Sequence, residues 1–345
     1  MPCPSLHHRP LPLELIRTLP DTLNGFNRAK SNFCHLEAEN DLEAIMCWLT
    51  EFKDSPGTYR SYRKEAERLL VWSLKQRNKA LSHLTREDLM EYQKFIANPH
   101  PVEYWCGQRQ PRHSDHWKPF QGPLSASSQR QAMTIINGLF SYLVNAGYLL
   151  GNPLSLMRQR KIMLNPDIKN PLQQERFLDQ KTWRYLKKYI YAMPRDTKRQ
   201  IAQYERILFL FHILYLLAPR VSEVSNHCMN SFRNYRGKWW WFITGKGNKH
   251  AKIPINDAML EALVRYRRSL GLSDYPAEHD SSPLLRGLGG VRNISANMIY
   301  RIVKSVVQGA AESIREIAPH KAAVLQNAST HWFRHTSITH QDDVG

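Results

Sequence analysis

The spacing of apolar residues predicts helices through most of the first half of the chain. From Ser125 to Gly147, apolar side chains recur at intervals of three or four residues, and a glycine ends the pattern. Similar patterns begin near Asp41, after Ser55 and at Thr85. Because each pattern has one apolar face and one polar face, we expect these helices to pack together as a small bundle.

The hydrophobic pattern changes its period in the second half of the chain. Two helical patterns, over residues 180–193 and 197–217, precede short β-prone runs that alternate with glycine-containing turns. Helical patterns then resume. The fold class that we predict is mostly α with a small antiparallel β-sheet. The predicted strands are Ser231–Tyr235, Trp239–Thr244 and Lys249–Ile255, and the later helices cover residues 256–270, residues 295–308 and a stretch from Thr330.

These patterns divide the chain into four segments. Residues 1–37 show no periodic pattern and are expected to form a loose N-terminal arm, while residues 38–155 form the helical domain. A basic linker, residues 156–171, leads to a second domain over residues 172–345. Residues 99–124, rich in Pro, His and Trp, are predicted to form a long loop. A chain of 345 residues is long enough for two hydrophobic cores.

The charge balance indicates a polyanionic partner. The chain holds 48 Lys and Arg against 30 Asp and Glu, a formal net charge of +18, and nucleic acid is the commonest large polyanion. Five cysteines without a C-x-x-C pair are typical of a reducing, cytoplasmic location. The most apolar run, residues 207–218, is shorter than the ~20 residues of a membrane span, so we expect no membrane partner.

Candidate phosphate chemistry lies near residue 330. His331 and Arg334 are three residues apart in a helix that Thr330 can cap, so both side chains point to the same side. An Arg gives a phosphate a bidentate fork, and a His gives it a donor that exchanges protons near neutral pH. Taken alone, the pair is more typical of a solvated helix face.

Two further stretches add cations of the same kind. Arg220 follows an apolar helix from which Pro219 releases it, and the Glu223 carboxylate can hold its guanidinium. We expect Arg220 to be held rigidly near the interior. Lys246 lies in a turn, where its ammonium can reach a groove and donate a proton. A structural Arg–Glu pair and an ordinary basic turn are the alternative interpretations.

Other polar residues are candidates for contacts with a nucleic-acid backbone. In the helix after Ser55, Arg60, Lys64 and Arg68 recur every four residues, opposite the apolar face. Taken alone, a solvated face is the favoured interpretation of that stripe. The candidates for DNA contacts are Arg60, Arg63, Lys64, Gln129, Arg130 and Lys249.

Three motifs, in this order along the chain, resemble those of the tyrosine recombinase (phage integrase) family. They are Arg220-x-x-Glu223, Gly245-Lys246-Gly247 and His331-x-x-Arg334-His335-Thr336. The resemblance covers roughly residues 40–345 and also includes Asn152-Pro153. It implies an N-terminal helical core-binding domain, a SAM-like bundle, followed by an α+β catalytic domain.

The resemblance also implies an activity. Family members are site-specific recombinases that cut and rejoin DNA through a 3′-phosphotyrosine link, without metal or nucleotide cofactor. It implies that Arg220 and Arg334 hold the phosphate, that Lys246 protonates the leaving 5′ oxygen, and that His331 assists. Glu223 and His335 would support them. It further implies double-stranded DNA as partner, a homo-tetramer on that DNA, and service to a mobile element or to housekeeping resolution.

The sequence departs from the family pattern in two places. Ala218-Pro219 stands where the family has a glycine-bearing turn, and no tyrosine occurs among residues 335–345, where the nucleophile is sought. We therefore expect the chain to be truncated before the nucleophile. On this expectation the chain alone is inactive, its tetramer is weakened, and an added C-terminal segment restores cleavage.

Three alternatives remain open at this point. A non-catalytic DNA-binding accessory or decoy derived from a recombinase fits the truncation, whereas a type IB topoisomerase fits the two-domain layout less well. A metalloprotein is disfavoured because its candidate ligands lack the spacing of a zinc site. Those ligands are Cys106, His113 and His116, or His331, His335 and His340.

Overall fold

Two compact units make up the chain, Met1–Leu164 and Asn165–Gly345. The computed structural model describes residues 9–16, 25–29, 34–157, 176–245 and 249–342. Each unit has its own hydrophobic core. Most of the predicted basic linker, residues 158–171, lies outside the described residues.

The first unit is helical, and four of its five described helices begin where the sequence predicts. Thr85 and Asp88 form a capping box, in which the Thr85 hydroxyl accepts the Asp88 N–H and the Asp88 carboxylate accepts the Thr85 N–H. The stripe from Ala132 to Leu143 is buried as expected. The helices are α1 (Asp41–Thr50), α2 (Pro56–Gln76), α3 (Arg86–Ala97), α4 (Val102–Trp105) and α5 (Ala126–Asn145).

The predicted long loop over residues 99–124 contains more structure than expected. It includes α4, and its Trp105 and Phe120 rings are buried in the core of the first unit. This loop also buries Arg68, whose prediction as part of a solvated stripe is wrong. The Arg68 guanidinium donates to the Pro119 carbonyl at 2.9 Å and to the Glu65 carboxylate at 3.1 Å. Helical periodicity cannot show such a contact, because the partner lies 51 residues away.

The prediction of a loose N-terminal arm is wrong for its described parts. Leu13 is buried, and its N–H donates to Glu67 on α2 at 2.9 Å. Arg28 forms an isolated β-bridge with Leu149, and its guanidinium donates to the Tyr148 hydroxyl at 2.7 Å. Single apolar and polar anchors of this kind produce no periodic pattern, so the sequence gives no sign of them.

The second unit confirms the fold class of many helices with one small antiparallel sheet. Two helices that the sequence patterns did not predict are α8 and α11, and α10 is longer than expected. Its helices are α6 (Gln180–Tyr191), α7 (Lys198–His212), α8 (Val221–Asn226), α9 (Asp257–Ser269), α10 (Ala296–Ile314), α11 (Pro319–Asn327) and α12 (Thr330–Asp342). Its strands, in spatial order, are β1 (Phe232–Tyr235), β2 (Lys238–Thr244) and β3 (His250–Pro254).

The sheet is a meander whose register follows the alternation of buried and exposed side chains. Phe232 pairs with Trp241, and Trp241 pairs with Ile253, on the face that packs against the core. Arg236 and Gly237 join β1 to β2 with φ of 54° and 78°, the positive values that a tight hairpin turn requires. No helix within the described ranges is long and apolar enough to cross a membrane.

Candidate active site

Arg220 is placed by an abrupt end of the helix that precedes it. After α7, the chain makes a π-helical turn over Ile213–Leu217, and Ala218 then adopts the left-handed conformation with φ 48°. A non-glycine residue in the left-handed conformation is destabilised by roughly 1–2 kcal/mol because its Cβ is strained. The position thus has the backbone shape that suits glycine, although the sequence carries alanine there. Pro219 follows, and Arg220 becomes the N-cap of α8.

Glu223 fixes the orientation of Arg220. Its carboxylate accepts the Arg220 backbone N–H at 2.7 Å and the Nη1 donor at 3.0 Å. The Glu223 side chain is 5% exposed, whereas that of Arg220 is 57% exposed. The expectation that Arg220 itself is held near the interior is therefore wrong. The buried member of the pair is the carboxylate, and it presents the guanidinium to solvent, where an anion can reach it.

The end of strand β2 lies beside this Arg–Glu pair. A Cβ on Gly245 would be 3.2 Å from Glu223 Oε1 and 3.9 Å from Arg220 Nη1, so glycine permits the close approach. The Gly245 N–H donates to the Lys249 carbonyl at 2.8 Å across the base of the turn. Lys246, the predicted proton donor, lies outside the described residues. Gly245, the last described residue before it, lies next to Arg220 and Glu223.

Arg334 joins the C-terminal motif to the same place. Its Nη1 donates to the carbonyl oxygen of Ala218 at 2.6 Å, although 116 residues separate the two along the chain. Arg334 is half-buried, and α12 anchors it because the neighbouring Trp332 and Phe333 are buried in the core. The second guanidinium is thus anchored two residues before Arg220.

His331 and His335 form a pair on the exposed side of α12. Their Nε2 atoms are 3.0 Å apart, so one ring donates and the other accepts. Burial lowers the pKa of His331, and the charges of His335, Arg334 and Arg176 lower it further. A lowered pKa keeps the His331 imidazole neutral near pH 7, the form that can take up a proton.

His227 is a residue that the sequence analysis missed. Its Nδ1 donates to the Glu223 carbonyl at 2.7 Å, and its Nε2 accepts the Thr244 N–H at 2.9 Å. The ring also meets Trp241 edge to face. His227 therefore fastens the helix that carries Arg220 to the end of strand β2. Its place four residues after Glu223 is a local sign of the contact with the Glu223 carbonyl. Nothing local in the sequence marks Thr244 as its second partner.

Replacement of His227 by Phe should loosen the end of β2. The Phe ring keeps the contact with Trp241 but cannot accept the Thr244 N–H, and losing about 1 kcal/mol for that hydrogen bond should speed exchange of the amide about fivefold. Site-resolved hydrogen exchange measures this rate. His250→Phe is the matched control, because His250 bonds only the Thr244 hydroxyl. Equal exchange rates in the two variants would contradict the bridging role.

The described charged groups of the site suit an anion. They are two guanidiniums and one carboxylate, and that carboxylate is already bonded to Arg220. Across the described ranges, no group of three or more His, Cys, Asp and Glu side chains is arranged to hold a metal. The ring of His340 is buried instead, and its Nδ1 bonds the Tyr215 hydroxyl at 3.1 Å.

The candidate DNA contacts of α2 differ in how free their charges are. Arg60 is exposed, and its Nε donates to the Pro56 carbonyl of its own helix. Arg63 donates to both carboxylate oxygens of Glu14 at 2.8 Å, a carboxylate that it shares with Arg112. The Lys64 side chain is half exposed and pairs with the Glu65 carboxylate at 3.0 Å. Arg60 is therefore the freest of the three cations.

The candidates of α5 and of the sheet are also at the surface. Gln129 is half-buried and donates to the Leu124 carbonyl at 2.7 Å, while Arg130 beside it is exposed. Lys249 is exposed at the base of the hairpin turn in the second unit. Arg130 and Lys249 make no ion pair with any described residue.

Known proteins of similar sequence and fold point to one family. No protein-family model matches the sequence. Over 156 residues, the chain is 30% identical to tyrosine recombinase XerC of Neisseria meningitidis, which covers 45% of this chain and 47% of that protein. The corresponding protein of Neisseria gonorrhoeae is 27% identical over 180 residues, 52% of each chain. The chain thus spans about half the length of the curated relatives it matches.

Solved structures share the fold at low sequence identity. The site-specific recombinase XerH bound to palindromic difH matches with a TM-score of 0.56 and 14% identity, over 87% of this chain and 74% of that one. A lambda integrase dimer on a core site matches with a TM-score of 0.52 and 11% identity, over 87% and 89%. The chain is thus similar in sequence to tyrosine recombinases over about half of its length and shares the fold of solved recombinases and integrases. In the second unit, five predicted site residues lie in one region, namely Arg220, Glu223, His331, Arg334 and His335.

Proposed function

We propose that this chain is a site-specific DNA recombinase, or integrase, that cuts and rejoins DNA through a 3′-phosphotyrosine intermediate. The observation that carries the proposal is the hydrogen bond from Arg334 Nη1 to the Ala218 carbonyl. It brings the His331–Arg334 motif of α12 to the segment that presents Arg220. Two guanidiniums anchored in one place suit a phosphodiester.

Each proposed role follows from the chemistry of phosphoryl transfer. Arg220 and Arg334 bind the non-bridging oxygens and stabilise the charge that grows as the phosphorus becomes five-coordinate. Glu223 holds Arg220 in position, so little reorganisation is needed during the reaction. His331, kept neutral by its lowered pKa, accepts the proton that the attacking tyrosine hydroxyl loses, and His335 orients its ring. Lys246 protonates the 5′ oxygen as it leaves.

The partner that we propose is double-stranded DNA. The contacts with its phosphates come from four exposed cations, Arg60, Lys64, Arg130 and Lys249. Arg63 and Gln129 are instead held by hydrogen bonds within the protein, to Glu14 and to the Leu124 carbonyl. No cofactor is needed, because the phosphotyrosine link conserves the energy of the broken bond. The proposal includes a homo-tetramer on DNA, a cytoplasmic location and service to a mobile element.

Salt dependence tests the DNA-binding part of this proposal. If four exposed cations each neutralise one phosphate, a fourfold rise in salt concentration should lower the affinity for duplex DNA about a hundredfold. Fluorescence anisotropy of a labelled duplex, titrated at two salt concentrations, measures the change. An affinity that stays the same at both concentrations would show that phosphate contacts do not drive binding.

A further inference from the structure

The face of the β-sheet that points away from the core carries aromatic rings and cations together. Strand pairing sets Arg233 opposite Trp240 and Phe242 opposite Lys252. Because side chains two apart along a strand share a face, Tyr235 lies on this face as well. We call these five residues, Arg233, Tyr235, Trp240, Phe242 and Lys252, the outer sheet face.

The cations of the outer sheet face lie over its rings. Lys252 Nζ is 5.0 Å from the centre of the Trp240 ring and 5.9 Å from that of Tyr235. Arg233 lies 5.7 Å from the centre of the Phe242 ring. Tyr235 is 47% exposed, and Arg236 in the adjoining turn lies 5.2 Å from its ring. Each ring is thus close to a group that an incoming anion would attract.

The charge of this part of the chain is not balanced by carboxylates. Residues 224–256 contain six Lys and Arg and no Asp or Glu. Among the described residues, no carboxylate forms an ion pair with Arg233, Arg236 or Lys252. Cation–π contacts stabilise a sheet. They do not require so many like charges, which repel one another and favour a polyanionic partner.

We propose that the outer sheet face binds single-stranded DNA. Phosphates attract Lys252 and Arg233 away from the rings, and unpaired bases then stack on the uncovered faces of Tyr235 and Trp240. Single-stranded nucleic acid is recognised by this combination of cations and aromatic rings. In a duplex the bases already stack on one another, so duplex DNA gains only the electrostatic part.

The position of the outer sheet face indicates a role for this binding during recombination. This role rests on the proposed recombinase function. Strand β2 ends at Thr244, and the next residue, Gly245, lies beside Glu223 and Arg220. A strand cut at Arg220 must leave its complement before it can be rejoined to another duplex. The outer sheet face holds the bases of that strand while they are unpaired.

The test compares one protein with two DNA forms. The variant Tyr235→Leu/Trp240→Leu removes two stacking faces but keeps apolar side chains and every cation. Binding of the full chain to a fluorescein-labelled oligo(dT) and to a duplex of the same length is measured by fluorescence anisotropy at one salt concentration. Loss of stacking should weaken oligo(dT) binding about tenfold or more. Duplex binding should change less than about twofold, since the charges remain.

A matched control and a milder variant keep the result decisive. Tyr191→Leu removes a similarly exposed ring, 44% exposed, from α6 and should change neither affinity. If the double variant fails to fold, Tyr235→Leu alone replaces a side chain at the exposed end of β1. Its oligo(dT) affinity should fall severalfold. Unchanged oligo(dT) binding, or an equal loss for both DNA forms, would overturn the proposal.

Photochemical crosslinking locates the contact directly. Oligo(dT) carrying 5-iodouracil should crosslink to Tyr235 or Trp240 of the unmodified chain, as read by mass spectrometry of the linked peptide. Crosslinks found only outside residues 232–254 would overturn the proposal. This outcome is independent of the recombinase function, because it requires no DNA cleavage. Loss of cleavage in Arg220 or Arg334 variants tests that function separately.

Discussion

Arg334→Ala is expected to lower the rate of DNA cleavage by about a hundredfold to a thousandfold, and Arg220→Ala by a similar factor. Each guanidinium is a preorganised donor for charge that grows on the phosphate, and removal of one such donor costs about this much. Duplex affinity should change little, because many other cations contact the backbone. The Arg334 variant also loses the bond to the Ala218 carbonyl, which joins the two motifs.

The measurement is a cleavage rate on a nicked suicide substrate. Every variant and the unchanged chain carry the same added C-terminal segment of a tyrosine recombinase, so that they differ only at the substituted residue. Arg184→Ala is the matched control, an exposed arginine of α6 to which no role in the site is assigned. A near-normal rate for either site variant would contradict the assignment of that arginine to the phosphate.

Phe333→Ala is expected to destabilise the second unit by about 3–5 kcal/mol. Phe333 is fully buried, and its ring meets those of Phe211 and Trp183 edge to face at 5.1 Å and 6.0 Å. Removal of this ring leaves a cavity under the helix that carries His331 and Arg334. The substitution should therefore lower the stability of the second unit before it changes any contact with DNA.

Hydrogen exchange during denaturant titration reads the second unit separately, through peptides from residues 176–342. His335→Ala on the same helix is the matched control. His335 is exposed, and such surface changes cost within about 0.5 kcal/mol. If the two substitutions cost the same, the inward face of α12 would be assigned incorrectly.

Local sequence patterns predicted the elements of this protein well. The Thr85–Asp88 capping box, the amphipathic stripe of α5 and the three short strands of the meander each depend on residues close in sequence. Their signals are contained within one element, so they can be read without knowledge of the rest of the chain. The mostly helical fold class with one small antiparallel sheet follows from them and is confirmed.

Contacts between distant segments could not be predicted in the same way. Arg68 lies on the polar side of its helix by periodicity, yet the loop that ends at Phe120 covers it. Leu13 is one apolar residue in a proline-rich stretch, and its N–H reaches a carboxylate 54 residues away. Neither partner is marked by spacing or composition. The burial of a charge and the anchoring of the arm therefore appeared only in the structure.

The candidate site contains contacts between residues that are close in sequence and contacts between distant segments. Arg220 and Glu223, or His331 and His335, are near one another in sequence, and their mutual contacts follow from helix geometry. The bond between Arg334 and the Ala218 carbonyl spans 116 residues and has no local sign. The left-handed backbone conformation of Ala218 has no local sign in the sequence either, since the residue there is not glycine.

The most direct test of the recombinase proposal is formation of a covalent protein–DNA link. The extended chain is incubated with a suicide substrate of its recombination site, and the products are separated by denaturing electrophoresis. Attack by a tyrosine on the phosphorus breaks the bond to the 5′ oxygen, so the protein stays on the 3′ phosphate. A 5′-labelled strand should therefore migrate with the protein, and the downstream piece should be released with a 5′ hydroxyl. A chain that binds the duplex tightly but leaves both labelled strands intact would contradict the account and make it a DNA-binding protein without this chemistry.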